Sequence, residues 1–175
     1  MLGNLCRHSS YFYQKILDHD LIKDIIFQCG SEDKLTKKFA CVALGNAGFH
    51  DSLLYPSLRM SIPTLVGLLK DSDEKTRSNA AAALGNLARN SDMLDEDFVN
   101  TGANYQLINM INNDKSTAAK KVSIMAIINL LNLPQSSKIL DSLNIKSILA
   151  RFIPPVYNGD PGLIKTAQKA LDKCK

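Results

Sequence analysis

Residues 77–92 read RSNAAAALGNLARNSD, five alanines and one glycine within sixteen positions. Alanine is the strongest helix former, so the stretch predicts a helix, yet Gly85 sits inside it at a cost of about 1 kcal/mol relative to alanine. A helix kept this small along one side is built for close approach, and the fold follows from what approaches it.

The tripeptide Leu84-Gly85-Asn86 is one copy of a series. Leu2-Gly3-Asn4 and Leu44-Gly45-Asn46 precede it, and Ile127-Ile128-Asn129 follows as a degraded form, with the asparagines 42, 40 and 43 residues apart. A further copy closes the chain. There Ala167 and Ala170 match Ala40 and Ala43, or Ala80 and Ala83, and Lys173 stands at the asparagine position. A polar turn opens each of these helices: residues 30–33, 71–74, 112–114 and 158–162, carrying Asp, Ser, Asn and Gly of the kind that cap and start helices. A second polar break follows each asparagine, at Ser9-Ser10, 50–52, 90–92 and 135–137. Then comes a short helical stretch and a medium one with paired apolar residues: Leu21-Ile22 and Ile25-Ile26, Leu65-Val66 and Leu68-Leu69, Leu107-Ile108 and Met110-Ile111, Ile148-Leu149 and Phe152-Ile153. Their i, i+3, i+4 spacing marks one buried helix face.

Each unit is thus a short, a medium and a long small-residue helix over about 42 residues, which is the length and content of the armadillo repeat, with the HEAT repeat as the alternative. The short first helix favours armadillo. The predicted fold is all-α, a right-handed solenoid of three full repeats and a partial N-terminal unit. Its units are 1–8 (partial), 9–49, 50–90, and 91–175 as divergent repeat sequence with a polar C-terminal cap. Stacking buries each third helix between its own unit and the next, so small residues let the backbones close up.

KKFACVALGNAGFHDSLLYPSLRMSIPTLVGLL (37–69) and DEKTRSNAAAALGNLARNSDMLDEDFVNTGA (73–103) resemble armadillo repeats in general. They are also similar to the C-terminal armadillo region of the Fused family of serine/threonine kinases, a likeness that includes RHSSYFY (7–13) and is densest over residues 1–105. The resemblance implies a non-catalytic role, association with Hedgehog signalling or the central apparatus of motile cilia, and a kinase domain far upstream of the repeats. This chain carries no GxGxxG loop and no HRD, DFG or APE motif.

The armadillo resemblance implies that third helices line a concave groove and that the asparagine column Asn4, Asn46, Asn86 and Asn129 holds an extended peptide by its backbone. The alternative is that each asparagine ties its own helix end to the following loop. Four residues earlier, one turn away on the same face, lie Val42, Ala82 and Met125. Nuclear-import receptors of this type carry tryptophan in that row, and this chain has no Trp. Eight and nine residues before the asparagines lie Lys38, Ser78, Lys121 and Lys165, and Lys37, Arg77 and Lys120. Three residues after them come Arg7, Phe49, Arg89 and Asn132. If the cations border the groove, it favours acidic partners. The candidate site is therefore Asn4, Asn46, Asn86, Asn129, Val42, Ala82, Met125, Arg7, Arg89, Lys38 and Lys121.

Hydrophobic residues make up 45% and charged residues 22% of the 175, with a net charge of +4, as in a globular protein. Basic residues run no longer than pairs, which argues against nucleic acid. Cys6, Cys29, Cys41 and Cys174 lack metal-ligand spacing and read as free thiols of a reducing compartment. His8, His19 and His50 form no triad, and residues 92–97 lack a calcium-loop pattern and read as a helix start. No cofactor or metal is expected, and the cytoplasm, or a cilium within it, is the expected location. The chain opens in mid-repeat, so its N-terminal end predicts an exposed apolar face covered by a partner, a second copy or further sequence. The C-terminal helix, with Lys165, Lys169, Asp172, Lys173 and Lys175, reads as a polar cap. The functional expectation is a scaffold that binds a peptide or helix, with the regulatory remainder of a Fused-like kinase as the rival.

Overall fold

The computed structural model describes residues 2–90 and 92–174, with the side chains of Leu2 and Leu5 outside that description. Lys175, counted above in the polar cap, and Ser91, in the break at 90–92, also lie outside it. The described residues form helices without strands: α1 (Leu2–His8), α2 (Tyr13–Asp18), α3 (Leu21–Gln28), α4 (Lys34–Ala47), α5 (Tyr55–Leu58), α6 (Ile62–Leu68), α7 (Glu74–Leu87), α8 (Asp95–Asn100), α9 (Ala103–Asn113), α10 (Thr117–Leu130), α11 (Pro134–Ser142), α12 (Ile145–Ala150) and α13 (Pro161–Leu171). After α1 the helices fall into triplets that end on a long helix. The first three run short–medium–long, whereas in the last α11 has 9 residues and α12 only 6. Helix α12 ends at Ala150, so that Phe152-Ile153, expected on it, follow in a turn. The stretch from 91 onward, predicted as divergent repeat sequence, resolves into two triplets, so among the described residues a fourth triplet joins the three expected.

Side chains at the turns set where each long helix begins. Asp33, Asp73 and Asp160 accept from the backbone N–H of Thr36, Thr76 and Leu163 at 2.7, 2.8 and 2.6 Å. The third turn differs from the sequence reading, which placed the start at 112–114. Ser116 is the cap, accepting from the Ala119 N–H at 3.2 Å, while Asp114 holds the Ser116 N–H at 2.8 Å. The sharp corner between the short and medium helices uses left-handed backbone at Asp20, Gly102 and Asn144 (φ 51°, 72° and 56°), residue types that tolerate it best.

The five long or terminal-unit helices α1, α4, α7, α10 and α13 stack in sequence order. A Cβ on Gly45 would lie 2.9 Å from the Cα of Ala83, and one on Gly85 would lie 2.9 Å from the Cα of Ala126. Gly3 meets Ala43 in the same way at 3.3 Å. What approaches the small helix is therefore the next repeat's alanine, backbone to backbone. The medium helices close the core from the other side, with Ile22, Ile25, Leu65, Val66, Leu107, Ile111 and Leu149 buried. Cys6, Cys29 and Cys41 are buried free thiols.

Residues 92–97 do begin a helix, and they also clamp repeats together. Asp95 is buried and caps α11 of the next unit, accepting from the N–H groups of Gln135 and Ser136 at 2.7 and 2.9 Å and from Ser136 Oγ at 2.6 Å. Asp97 pairs with Arg59 of the preceding unit at 2.8 Å.

Candidate partner-binding groove

The asparagine column performs a task that neither sequence reading anticipated. Asn46 Nδ2 donates to the Gly3 carbonyl at 2.8 Å, Asn86 Nδ2 to Gly45 at 3.1 Å, and Asn129 Nδ2 to Gly85 at 2.8 Å. Each asparagine is tied to the preceding repeat, at the residue just before that repeat's own asparagine, and not to its own following loop. A helix carbonyl keeps a second lone pair after its intrahelical bond, which is what the amide uses. Glycine at the acceptor position lets the two helices come near enough for the short asparagine to reach. The Oδ1 atoms of Asn46, Asn86 and Asn129 accept no hydrogen bond from the described residues, so a row of acceptors remains on the half-buried surface. Asn46 is fixed further by its own carbonyl, which takes the Tyr13 hydroxyl at 3.2 Å, and burial pushes the Tyr13 pKa up to about 12.

The row one turn earlier faces outward along the same surface: Val42 is 37% and Met125 52% exposed, and Ala82 is exposed with them. Three residues past the asparagines, Arg89 lies over the Phe49 ring with 4.3 Å to the centroid, a cation–π contact between adjacent repeats. Arg7 is exposed at the corresponding place in the first unit.

The lysines and arginine of the first turns are engaged with aspartates of the next repeat. Lys37 pairs with Asp71 at 2.8 Å and Lys38 with Asp73 at 3.4 Å, and Arg77 grips Asp114 through Nε and Nη2 at 2.7 and 3.0 Å. Burial alone raises the Asp114 pKa, but Arg77 and the Ser116 N–H outweigh it and hold the carboxyl below 3.8. Asp71 is held below the same value against its own burial by Lys37 and the Asp73 N–H. Lys120 instead lies 5.6 Å from the Phe152 ring centroid.

Two hollows open on this surface. One, of about 590 Å³, gathers Ala82, Asn86, Arg89, Met125 and Asn129 together with Phe49, Val122, Lys165 and Lys169. The other, of about 770 Å³, holds Asn4, Arg7 and Val42 beside Leu35 and Phe39. Asn46, Lys38 and Lys121 line neither. The glycine acceptors, Phe49 beneath Arg89, and Lys169 were missed in sequence. The last was legible as a groove position, because it stands four residues before Lys173 as Met125 does before Asn129. Among the described residues no cluster of His, Cys, Asp and Glu fit to hold a metal occurs, and no helix is long and apolar enough to cross a membrane.

Stacked three-helix units with an asparagine column along one face are the armadillo-repeat fold. The family model described as Armadillo/beta-catenin-like repeat matches residues 59–89. A designed armadillo repeat protein superposes with a TM-score of 0.85 at 20% identity, over 99% of this chain and 73% of that one. Another, in complex with the peptide (KR)4, gives 0.88 at 19%, over 98% and 72%. In sequence the chain is similar to serine/threonine-protein kinase 36 of Pongo abelii, 28% identical over 151 residues, or 86% of this chain. It is also similar to serine/threonine-protein kinase TIO of Arabidopsis thaliana, 40% identical over 111 residues, or 63% of this chain. The Fused likeness thus extends well past residue 105. The chain spans only 11% and 8% of the lengths of those relatives.

Proposed function

We propose that this chain is a non-catalytic protein-interaction scaffold that holds an extended segment of a partner in its concave groove, with acidic side chains meeting the basic border. The observation that carries this is the hollow around Met125, where Asn86 and Asn129 offer acceptors beside an exposed apolar side chain. The peptide held by the designed armadillo repeat protein supports the mode of binding, though not the choice of partner. Asn4, Asn46, Asn86 and Asn129 form the ladder in this reading, and Val42, Ala82 and Met125 its apolar row. Arg7, Arg89 and Lys121 form the charged border; Lys38 stands in the same row but its charge is answered by Asp73. The hollow beside α1, with Leu35 and Phe39 58% and 64% exposed, supports a further helix stacking there and, with it, a larger assembly. The Fused likeness alone points to the ciliary central apparatus as that assembly. Replacing Met125 by Arg fills the groove without touching the stack; partner capture should be lost while the circular-dichroism spectrum is kept. Capture equal to that of the unaltered chain places the binding surface elsewhere.

A second reading has its own support: the relatives are kinases of which this chain matches a small part. In that reading the repeats regulate a Fused-like kinase in the same polypeptide. A denaturing gel of source cells, probed with an antibody to residues 37–103, separates the two. A band near 19.2 kDa favours the stand-alone scaffold, and a much larger one favours the kinase segment.

A further inference from the structure

Helix α13 carries Lys165 and Lys169 one turn apart, and Lys173 follows in the turn just past its end; the three hold the register positions that Lys121, Met125 and Asn129 occupy in α10. A polar end cap would place its charges on the outer face, where the next repeat would otherwise stack. That face belongs to other residues. Gln168 stands where earlier repeats bury Cys41, Ala81 and Ile124, and Asp172 stands where they have Gly45, Gly85 and Ile128. The two close on each other at 2.8 Å. The lysines face the groove instead, and Lys165 and Lys169 line the same hollow as Arg89 and Met125.

Their charge is unanswered. No acidic residue lines that hollow, and among the described residues neither Lys165 nor Lys169 has a carboxylate partner. Lys173 donates to the Asn132 side chain at 2.9 Å, and Arg89 rests on a ring. On the earlier long helices α4 and α7, Lys37, Lys38 and Arg77 are each matched by an aspartate. Like charges gathered in a concavity repel one another and draw a ligand of opposite sign.

We infer that the C-terminal end of the groove is an acid-reading subsite: carboxylates of an extended acidic segment of a partner protein dock on Lys165 and Lys169, with an apolar side chain of that segment seated on Met125. The inference rests on the groove reading above. A protein segment fits better than a nucleic acid, because the asparagine Oδ1 row accepts hydrogen bonds and so matches backbone N–H groups, whereas phosphates offer only acceptors.

A displayed library of random twelve-residue peptides, selected on the immobilised chain, tests this. Asp- and Glu-rich peptides with a central Leu, Met or Phe should be enriched, and enrichment should fall at least about tenfold on the Lys165→Glu, Lys169→Glu variant. A Lys15→Glu, Lys138→Glu variant, with the same change in net charge on exposed positions of α2 and α11, should leave it unchanged. Equal loss from both variants, or basic or uncharged peptides on the unaltered chain, overturns the subsite. If uncharged peptides are selected and lost on Met125→Arg, the groove reading survives without it. If nothing selected depends on Met125 or the lysines, both fall. A single-stranded oligothymidylate that binds the chain and is released by Lys165→Glu, Lys169→Glu reassigns the stripe to nucleic acid.

Discussion

Glycine and asparagine divide one interface between them, the glycine giving closeness and the asparagine the bond that closeness permits. Gly45 and Gly85 have no room for a methyl group, since the obstructing atom is the neighbouring backbone, which cannot rotate away. Overpacking costs about 1–3 kcal/mol, and the helix-propensity gain of about 1 kcal/mol returns only part of it. Gly85→Ala should therefore lower stability by about 1–2 kcal/mol in urea unfolding. Gly67, inside α6 with nothing within 4 Å of its added Cβ, is the internal contrast. Gly67→Ala should raise stability by about 0.5–1 kcal/mol. Two substitutions of the same kind with the same sign would mean that the close approach is not what requires Gly85.

At the scale of elements, cap turns are also joints. Asp71 and Asp114 sit in the turns that open α7 and α10, and each takes a cation from the repeat before. Both carboxyls have folded-state values lowered from 3.8, so they contribute stability that is complete above that pH and is lost as pH falls through their folded values. The urea midpoint should be level near neutrality and decline from about pH 4 downward. Asp114→Asn should start lower at pH 7, where Arg77 loses its bidentate partner, and should lose less on acidification. A parallel acid decline in the variant would assign the pH dependence to other groups.

For the whole molecule, a stack of repeats is as well behaved as its two ends. The last described unit has Gln168 and Asp172 at positions that are buried and small or apolar in the earlier units. Gln168→Leu with Asp172→Ala should recreate an interior face and drive concentration-dependent association, seen by light scattering. Phe39→Glu at the opposite end should reduce binding of an apolar-surface dye. A doubly substituted chain that stays monomeric would show that the polar pair is not what keeps this face from self-association.

The sequence by itself determined the unit length, the order of helices in the first three full units, the capping residues of three long helices and the small-residue contact face. All of these follow from local chemistry repeated at a fixed spacing. It also marked the asparagine column, because a residue that recurs every 40 to 43 positions occupies one place on the solenoid. Tertiary structure decided what each column does. Whether Asn86 reaches forward, backward or outward depends on the distance to Gly45, and a residue's own neighbours in sequence do not set that distance. The first-turn cations Lys37 and Arg77 meet carboxylates 34 and 37 residues away, so a border that looks uniformly basic in sequence keeps unmatched charge only where no aspartate arrives, as at Arg7 and Arg89 and along α13. Contacts between repeats join residues far apart in the chain, and their pairing exists only once the helices have stacked.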